Sequence, residues 1–383
     1  MNIMFQVGSW HYDKGGTDLF VKTLSYWLAK KGHKVVVLVH RLKNEKCSNE
    51  DIKVGKGIIK VRYTPEQKSG IRFNPFVYGY RLLITSIFVY KLAREEEINC
   101  IVVGETELLA MFPLIFLKTK ILCRGGALMY ETMSKEVLKE RGNKLYSRFF
   151  IGLIKIYNNL SLKIPDFMIP VNQSEYEFMD KKKRKSAGII TIPHGVEINV
   201  FKPKLNLKDK KKIIIGYVGR LAPIKYPELI IDLFKEATLN IDNCEFHWVG
   251  PLDPNFKKEY FDDLKKEKNI KNARYLGRID NKKLPEYLNK FHIFIQAEQQ
   301  KNVSRSTTEA ASCGLPIVAL NIGREPYGSF TMNKERFVKQ LRNYIEDRKL
   351  REKKGREARN IIEKNYSQDV IYGKYLKLFE ELR

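Results

Sequence analysis

The chain has 383 residues, of which 70 are Lys or Arg and 44 are Asp or Glu, giving a formal net charge of +26. That length fits two domains. An apolar content of 43%, with 20 Tyr and 21 Phe, supplies ordinary cores and excludes a disordered polycation. Cys47, Cys100, Cys123, Cys244 and Cys313 are scattered, with no CxxC pair and no His at ligand spacing, so neither a disulfide framework nor a metal site is expected. The positive excess is shared between the two halves of the chain, and no basic tail explains it. Anionic lipid surfaces, nucleic acid and phosphate-rich ligands are the partner classes such a charge admits.

In chain order, Ile3 to Val7 reads as a buried strand with no basic leader before it, so no signal peptide is expected. Gly15-Gly16 follows as a tight loop. A helix from Asp18 to Lys31 carries Phe20, Leu24, Trp27 and Leu28 on one face, and Gly32 stands at its C-cap. Lys34 to Val39, Ile59 to Tyr63, Cys100 to Val103, Lys120 to Cys123 and Phe167 to Pro170 are the next strand candidates. The longest apolar run, Leu108 to Leu117, is about half of what a bilayer span requires. A transmembrane helix is therefore not expected.

A second series of strands runs through Ile213 to Val218, Glu245 to Val249, Ala273 to Leu276 and Ile293 to Gln296, and ends at Pro316 to Ala319. Helical stretches such as Tyr226 to Glu236 and Asn255 to Lys268 lie between them, and the tail from Lys339 to Arg383 is helical in period. Alternating strands and helices in two series indicate two successive open parallel α/β sheets. The stretch from Pro193 to Lys212, interrupted by Pro203 and a run of lysines, is the linker candidate.

In such sheets ligands bind outside the carboxyl ends of the strands, which singles out four places. Gly15-Gly16-Thr17 opens a helix, where bare backbone N–H groups can approach an oxyanion; taken alone this is also ordinary turn geometry. Gly219-Arg220-Leu221-Ala222-Pro223-Ile224-Lys225 follows a strand, and Arg220 with Lys225 could clamp a diphosphate, unless both are plain surface charges. Ser304-Arg305-Ser306-Thr307-Thr308-Glu309 suits a phosphate-binding helix start, with Glu309 one turn inside and able to accept two ribose hydroxyls. Gly277-Arg278 is a strand-end turn whose backbone could meet a base edge.

These four places, in this order, resemble the glycosyltransferase family 4 group of retaining nucleotide-sugar enzymes. Further support comes from Ile192-Pro193-His194-Gly195-Val196-Glu197 with Phe201 and Pro203, and from Glu309-Ala310 with Gly314-Leu315-Pro316. The resemblance covers nearly the whole chain. It implies a GT-B fold, two Rossmann-like parallel-sheet domains facing across a cleft. Residues 1–198 would form the acceptor domain and 199–366 the donor domain, with a final helix, 367–383, packing back on the first. It implies that Arg220 and Lys225 hold the donor diphosphate, that Glu309 binds the ribose, and that Gly277-Arg278 meets the base. Gly15 and Gly16 would approach the donor phosphates. No metal or other cofactor is implied, since the nucleotide sugar, UDP- or GDP-linked, is itself a substrate and cationic side chains do the electrostatic work.

The sequence departs from that pattern twice. The family's sugar-contacting Glu stands eight positions before the ribose-binding one; Lys301 occupies that place, with Glu298 the nearest acid. Arg124 stands where the family often has a His near the reacting sugar. Lys301 and Arg124 facing a sugar would suit an anionic or modified donor. The alternative is a degenerate GT-B protein that binds a nucleotide or glycan without transfer. Ser304-Arg305 matches a loop variant found within the family.

The segment Lys60 to Arg94 interleaves basic residues with aromatics, and Arg148 to Leu162 is similar. Both fit either an anionic membrane surface or an aromatic core helix. Nucleic acid is not expected, because the charge is spread and no zinc finger, RNP or KH motif is present. The expected protein is cytoplasmic, at the inner face of a membrane, with a glycan or lipid-linked acceptor.

Overall fold

The computed structural model describes residues 1–10, 16–41, 47–65, 75–125, 145–209, 211–254, 256–297, 304–320 and 325–382. The chain folds as two units, Met1–Pro193 joined by Tyr372–Arg383, and His194–Ile371. The first unit therefore takes two separate stretches of chain, and the second is continuous.

In the first unit β1 (Asn2–Val7), β2 (Lys34–Val39), β3 (Glu50–Val54), β4 (Gly57–Tyr63), β5 (Cys100–Val103), β6 (Lys120–Arg124), β7 (Phe167–Ile169) and β8 (Gly188–Ile189) form one sheet. Their spatial order is β3-β4-β2-β1-β5-β6-β7-β8. Neighbours are parallel except β3 and β4, which form an antiparallel hairpin. The alternation of a half-buried strand decides where each side chain goes. On β1, Met4 joins a core with Val36, Ile101 and Ile121, whereas Phe5 turns to the other face and meets Phe379 edge-on at 6.5 Å. Helix Gly16–Lys30 covers that second face, and Phe20 lies 5.3 Å from Tyr375 on the closing helix Gln368–Glu381. Gly32 ends the first helix at φ +91°, the left-handed conformation that its C-cap position requires.

In the second unit β9 (Ile213–Val218), β10 (Cys244–Val249), β11 (Ala273–Tyr275), β12 (Ile293–Ala297), β13 (Ile317–Leu320) and β14 (Ser329–Thr331) form a wholly parallel sheet. Its order is β11-β10-β9-β12-β13-β14. Ile215 and Tyr217 of β9 face a core with Phe234, Phe246 and Trp248. Ile214 faces the opposite core, built around Phe291, Phe294 and Ile362. Gly216 shares that opposite face, and a Cβ on it would stand 2.0 Å from the Phe291 ring. Each large side chain so buried contributes roughly 1.5–3 kcal/mol.

Both sheets reverse their strand order once, between β1 and β5 and between β9 and β12, as doubly wound sheets do. Three strands escape the sequence pattern. β3 is an alternating, half-exposed edge, β8 is two residues long, and β14 extends the second sheet beyond the strand expected to end it. The helical tail is three helices, Lys334–Glu346, Arg348–Asn365 and Gln368–Glu381. Asp347 breaks the first from the second and caps the latter by accepting from the Leu350 N–H at 2.9 Å.

Candidate active site

The switch point of the second sheet collects most of the singled-out residues. At the end of β9 the chain turns through Gly219, whose carbonyl accepts from the Trp248 indole N–H at 2.9 Å. Gly250, at the end of β10 with φ +149°, lies so near that a Cβ there would stand 2.0 Å from the Gly219 carbonyl oxygen. Its N–H donates to the Gly277 carbonyl beyond β11 at 2.9 Å. The ends of β9, β10 and β11 are thus laced by bare backbone. This lacing sets Arg220 and Arg278, both exposed, on loops that leave the same edge of the sheet.

The Arg220 side chain is 58% exposed, and Asp253 lies 3.8 Å from its guanidinium. Lys225 ends a short 3-10 turn, Pro223–Lys225, and is half-buried. The next residue, Tyr226, adopts a left-handed conformation at φ 48°, which lets Pro227 start helix Pro227–Ala237.

Across the switch point, helix Arg305–Ser312 begins at Ser304. Four hydroxyl and amide groups form a ladder there. Ser304 Oγ lies 2.8 Å from Ser306 Oγ and 3.0 Å from Thr307 Oγ1. Thr307 donates to Gln296 Oε1 of β12 at 2.6 Å, and Ser306 donates to the Val218 carbonyl at 2.8 Å. The last bond ties the helix start to the end of β9, one residue before Gly219. Because Ser304 turns its hydroxyl into this ladder, its side chain does not cap the first turn. Glu309, 6% exposed, pairs with Arg305 Nε at 2.8 Å. Burial raises the Glu309 carboxyl above its ordinary pKa, and the Arg305 charge opposes that shift.

Sequence reasoning missed Gln296 and Asp253. Gln296 is wholly buried, and its Nε2 has no partner among the described residues. A polar residue closing the run Ile293-Phe294-Ile295 was the signal available for it.

The other expected residues are placed differently. Gly16 opens helix Gly16–Lys30, whereas Gly15, Glu298 and Lys301 lie outside the described residues. Arg124, at the end of β6, is only 7% exposed. Its guanidinium carbon lies 3.7 Å from the centre of the Phe20 ring, and Nε donates to the Tyr375 hydroxyl at 2.8 Å. Cation–π contact and a buried hydrogen bond draw this cation inward. The guanidinium expected to face a sugar therefore rests against Phe20 and Tyr375. Among the described residues, no group of three or more His, Cys, Asp or Glu converges on a metal-sized space.

Two doubly wound sheets, with polar side chains gathered at the reversal of the second, define a GT-B fold. Residues 199–361, which make up most of the second unit, match the family model for glycosyl transferases group 1. The chain is similar to a subunit of the phosphatidylinositol N-acetylglucosaminyltransferase of Arabidopsis thaliana, 25% identical over 317 residues. That alignment covers 82% of this chain and 65% of the relative, so the chain spans just under two thirds of the length of the curated protein it matches. Among solved structures, sucrose-phosphate synthase from Thermosynechococcus elongatus superposes with a TM-score of 0.78 at 15% identity, over 100% of this chain and 98% of that one. Anabaena HepE in complex with UDP and glucose gives 0.70 at 14% identity, over 100% of both chains.

Proposed function

We propose that the protein is a glycosyltransferase that moves a sugar from a nucleoside diphosphate donor to a glycan or lipid-linked saccharide acceptor, with retention and without metal. What supports this reading is that Arg220 and Lys225 follow β9 and the start of helix Arg305–Ser312 follows β12, the two strands that flank the second switch point. Cations and unsatisfied N–H groups there would stabilise the charge that grows on a departing diphosphate. Glu309, fixed by Arg305, would accept the ribose hydroxyls, and the turn at Arg278 would meet the base. Ser304 would aim the helix start through its ladder, and Gly15 and Gly16 would let the first unit's loop approach the phosphates. Lys301 would meet the donor sugar. Arg124 keeps a positioning role at the end of β6.

HepE is solved with UDP and glucose, which supports a UDP-linked donor here, with GDP-linked donors the second class. The Arabidopsis relative is named for phosphatidylinositol, which supports a lipid-linked acceptor at a membrane face. Among the described residues no helix is long and apolar enough to cross a membrane.

The test is thermal stabilisation by a panel of UDP-, GDP-, ADP- and CMP-sugars and their free nucleotides, without added metal, followed by transfer from the best ligand. A ligand present at about 100 times its dissociation constant should stabilise the native state by roughly 2.7 kcal/mol. One sugar nucleotide stabilising well above its free nucleotide is the expected result. No shift with any member of the panel would overturn the donor assignment.

A further inference from the structure

The solvent-facing side of helix Leu145–Ser161 is apolar. Phe149, Leu153, Ile156 and Leu160 recur at i, i+4, i+7 and i+11, one helical face, and all four are exposed, Phe149 to 65%. Asn158, Ser161 and Leu162 turn the opposite way and are buried. Core packing therefore does not account for the outer stripe. Helix Pro75–Glu95 repeats the pattern. Val89, Leu92 and Ala93 are buried, and Tyr80, Leu83 and Ile87 are exposed on the far face. Segment Glu105–Phe116 packs against both helices and adds Phe112, Ile115 and Phe116, the last 75% exposed. Single exposed apolar residues are common, but three neighbouring elements each presenting several mark an interaction surface.

Charge selects the occupant. No Asp or Glu stands between Tyr80 and Arg94, between Leu108 and Lys120, or between Leu145 and Lys163. Lys91 and Arg94 continue the exposed face of helix Pro75–Glu95, Lys118 and Lys120 follow Phe116, and Arg148 and Lys155 flank the stripe on Leu145–Ser161, all six exposed. Glu95, 3.8 Å from Lys91, stands at the margin. A second copy of this chain would bring these cations against their own kind, which disfavours a self-complementary interface.

We propose that this face of the first unit docks on an anionic lipid bilayer, its apolar side chains entering the boundary between headgroups and acyl chains and its cations meeting lipid phosphates. This deepens the membrane side of the function proposed above and rests on that reading only for the nature of the acceptor.

The experiment is flotation of the full chain with vesicles of phosphatidylcholine alone and of equal parts phosphatidylcholine and phosphatidylglycerol, with no sugar nucleotide present. The wild-type chain is expected to float with the anionic vesicles, less so as salt rises. Phe116→Glu combined with Ile156→Glu should weaken binding roughly tenfold or more, since affinity scales with the apolar area inserted. Its melting temperature and its stabilisation by sugar nucleotides should stay unchanged, and Met332→Glu, an exposed site in the second unit, should float like wild type. Equal flotation of the double variant, or no wild-type binding to anionic vesicles, overturns the proposal. A wild-type dimer that ignores vesicles and is split by the same pair would assign the face to a second copy instead. Because no donor is present, a failure here leaves the sugar-nucleotide reading standing, and the reverse holds.

Discussion

The two sheets share a winding and differ in how they treat a cation at a strand end. In the second unit Arg220 leaves β9 on a loop held by glycine contacts and keeps most of its side chain in solvent. In the first, Arg124 ends β6 against the face of Phe20 and under the Tyr375 hydroxyl. The same residue type at the same kind of place thus does two jobs. What decides between them is whether a neighbouring element roofs the strand end. The closing helix Gln368–Glu381 does so in the first unit, and the second gathers hydroxyls around an open edge.

The largest expected effect probes the polar construction of the second unit. Arg359 donates to the carbonyls of Phe201 and Ser312 at 2.7 Å each and to that of Ile198 at 3.1 Å, pinning the start of the unit to helix Arg305–Ser312. Arg359→Ala should cost about 3–5 kcal/mol, because several acceptors lose a charged donor together. Chemical denaturation should show the loss in the second unit and leave the first unchanged. A uniform loss across both transitions would count against treating the units separately.

Acid is the next lever. His292 accepts from the Ile214 N–H at 3.0 Å, and burial, aided by the Lys208 charge, lowers its pKa to about 4. His40 in the first unit is lowered to about 3 by burial and by Arg81. Both stay neutral in the fold while the unfolded chain, near 6.5, takes up protons. The stability these two imidazoles contribute is therefore full above about pH 6.5 and is lost as pH drops, the His292 share of about 3 kcal/mol levelling off near pH 4. The first unit should go on losing stability down to about pH 3. His292→Gln should remove the second unit's share of that slope, and an unaltered slope in the variant would show that His292 does not carry it.

At the open edge, Arg220→Ala combined with Lys225→Ala should lower turnover by roughly 10²-fold while the fold is kept. Wild-type turnover in a folded double variant would end their assigned role. The smallest effect belongs to the roofed cation. Tyr375→Phe removes one hydrogen bond from Arg124 and should cost the first unit about 1 kcal/mol without changing sugar-nucleotide binding. A loss of turnover with no loss of stability would instead return Arg124 to the chemistry and dissolve the contrast between the units.

Much of the fold could be read from the chain because fully buried parallel strands are unbroken apolar runs. Lys34–Val39, Cys100–Val103 and Ile213–Val218 have the bounds expected of them. β3 could not be read, since an edge strand alternates and Glu50-Asp51 looks like surface. The break at Asp347 was hidden because a helical period runs on through a cap. At the site, the glycine-rich turn after β9 and the helix start at Ser304 were visible as local patterns. The inward turn of Arg124 depends on Tyr375, 251 positions away, and no local pattern encodes that partner. Leu108 to Leu117 was weighed only as a membrane span, although its outward side chains form one third of an apolar surface.

The divided first unit has a consequence for the order of events during synthesis. When residue 193 leaves the ribosome, Phe5 and Phe20 still await Tyr375 and Phe379, which are made only after the second unit. The second unit, made in one stretch, can complete its sheet before the first can close. Folding order should thus run against chain order, and the nascent first unit presents an unfilled apolar face throughout the translation of its partner.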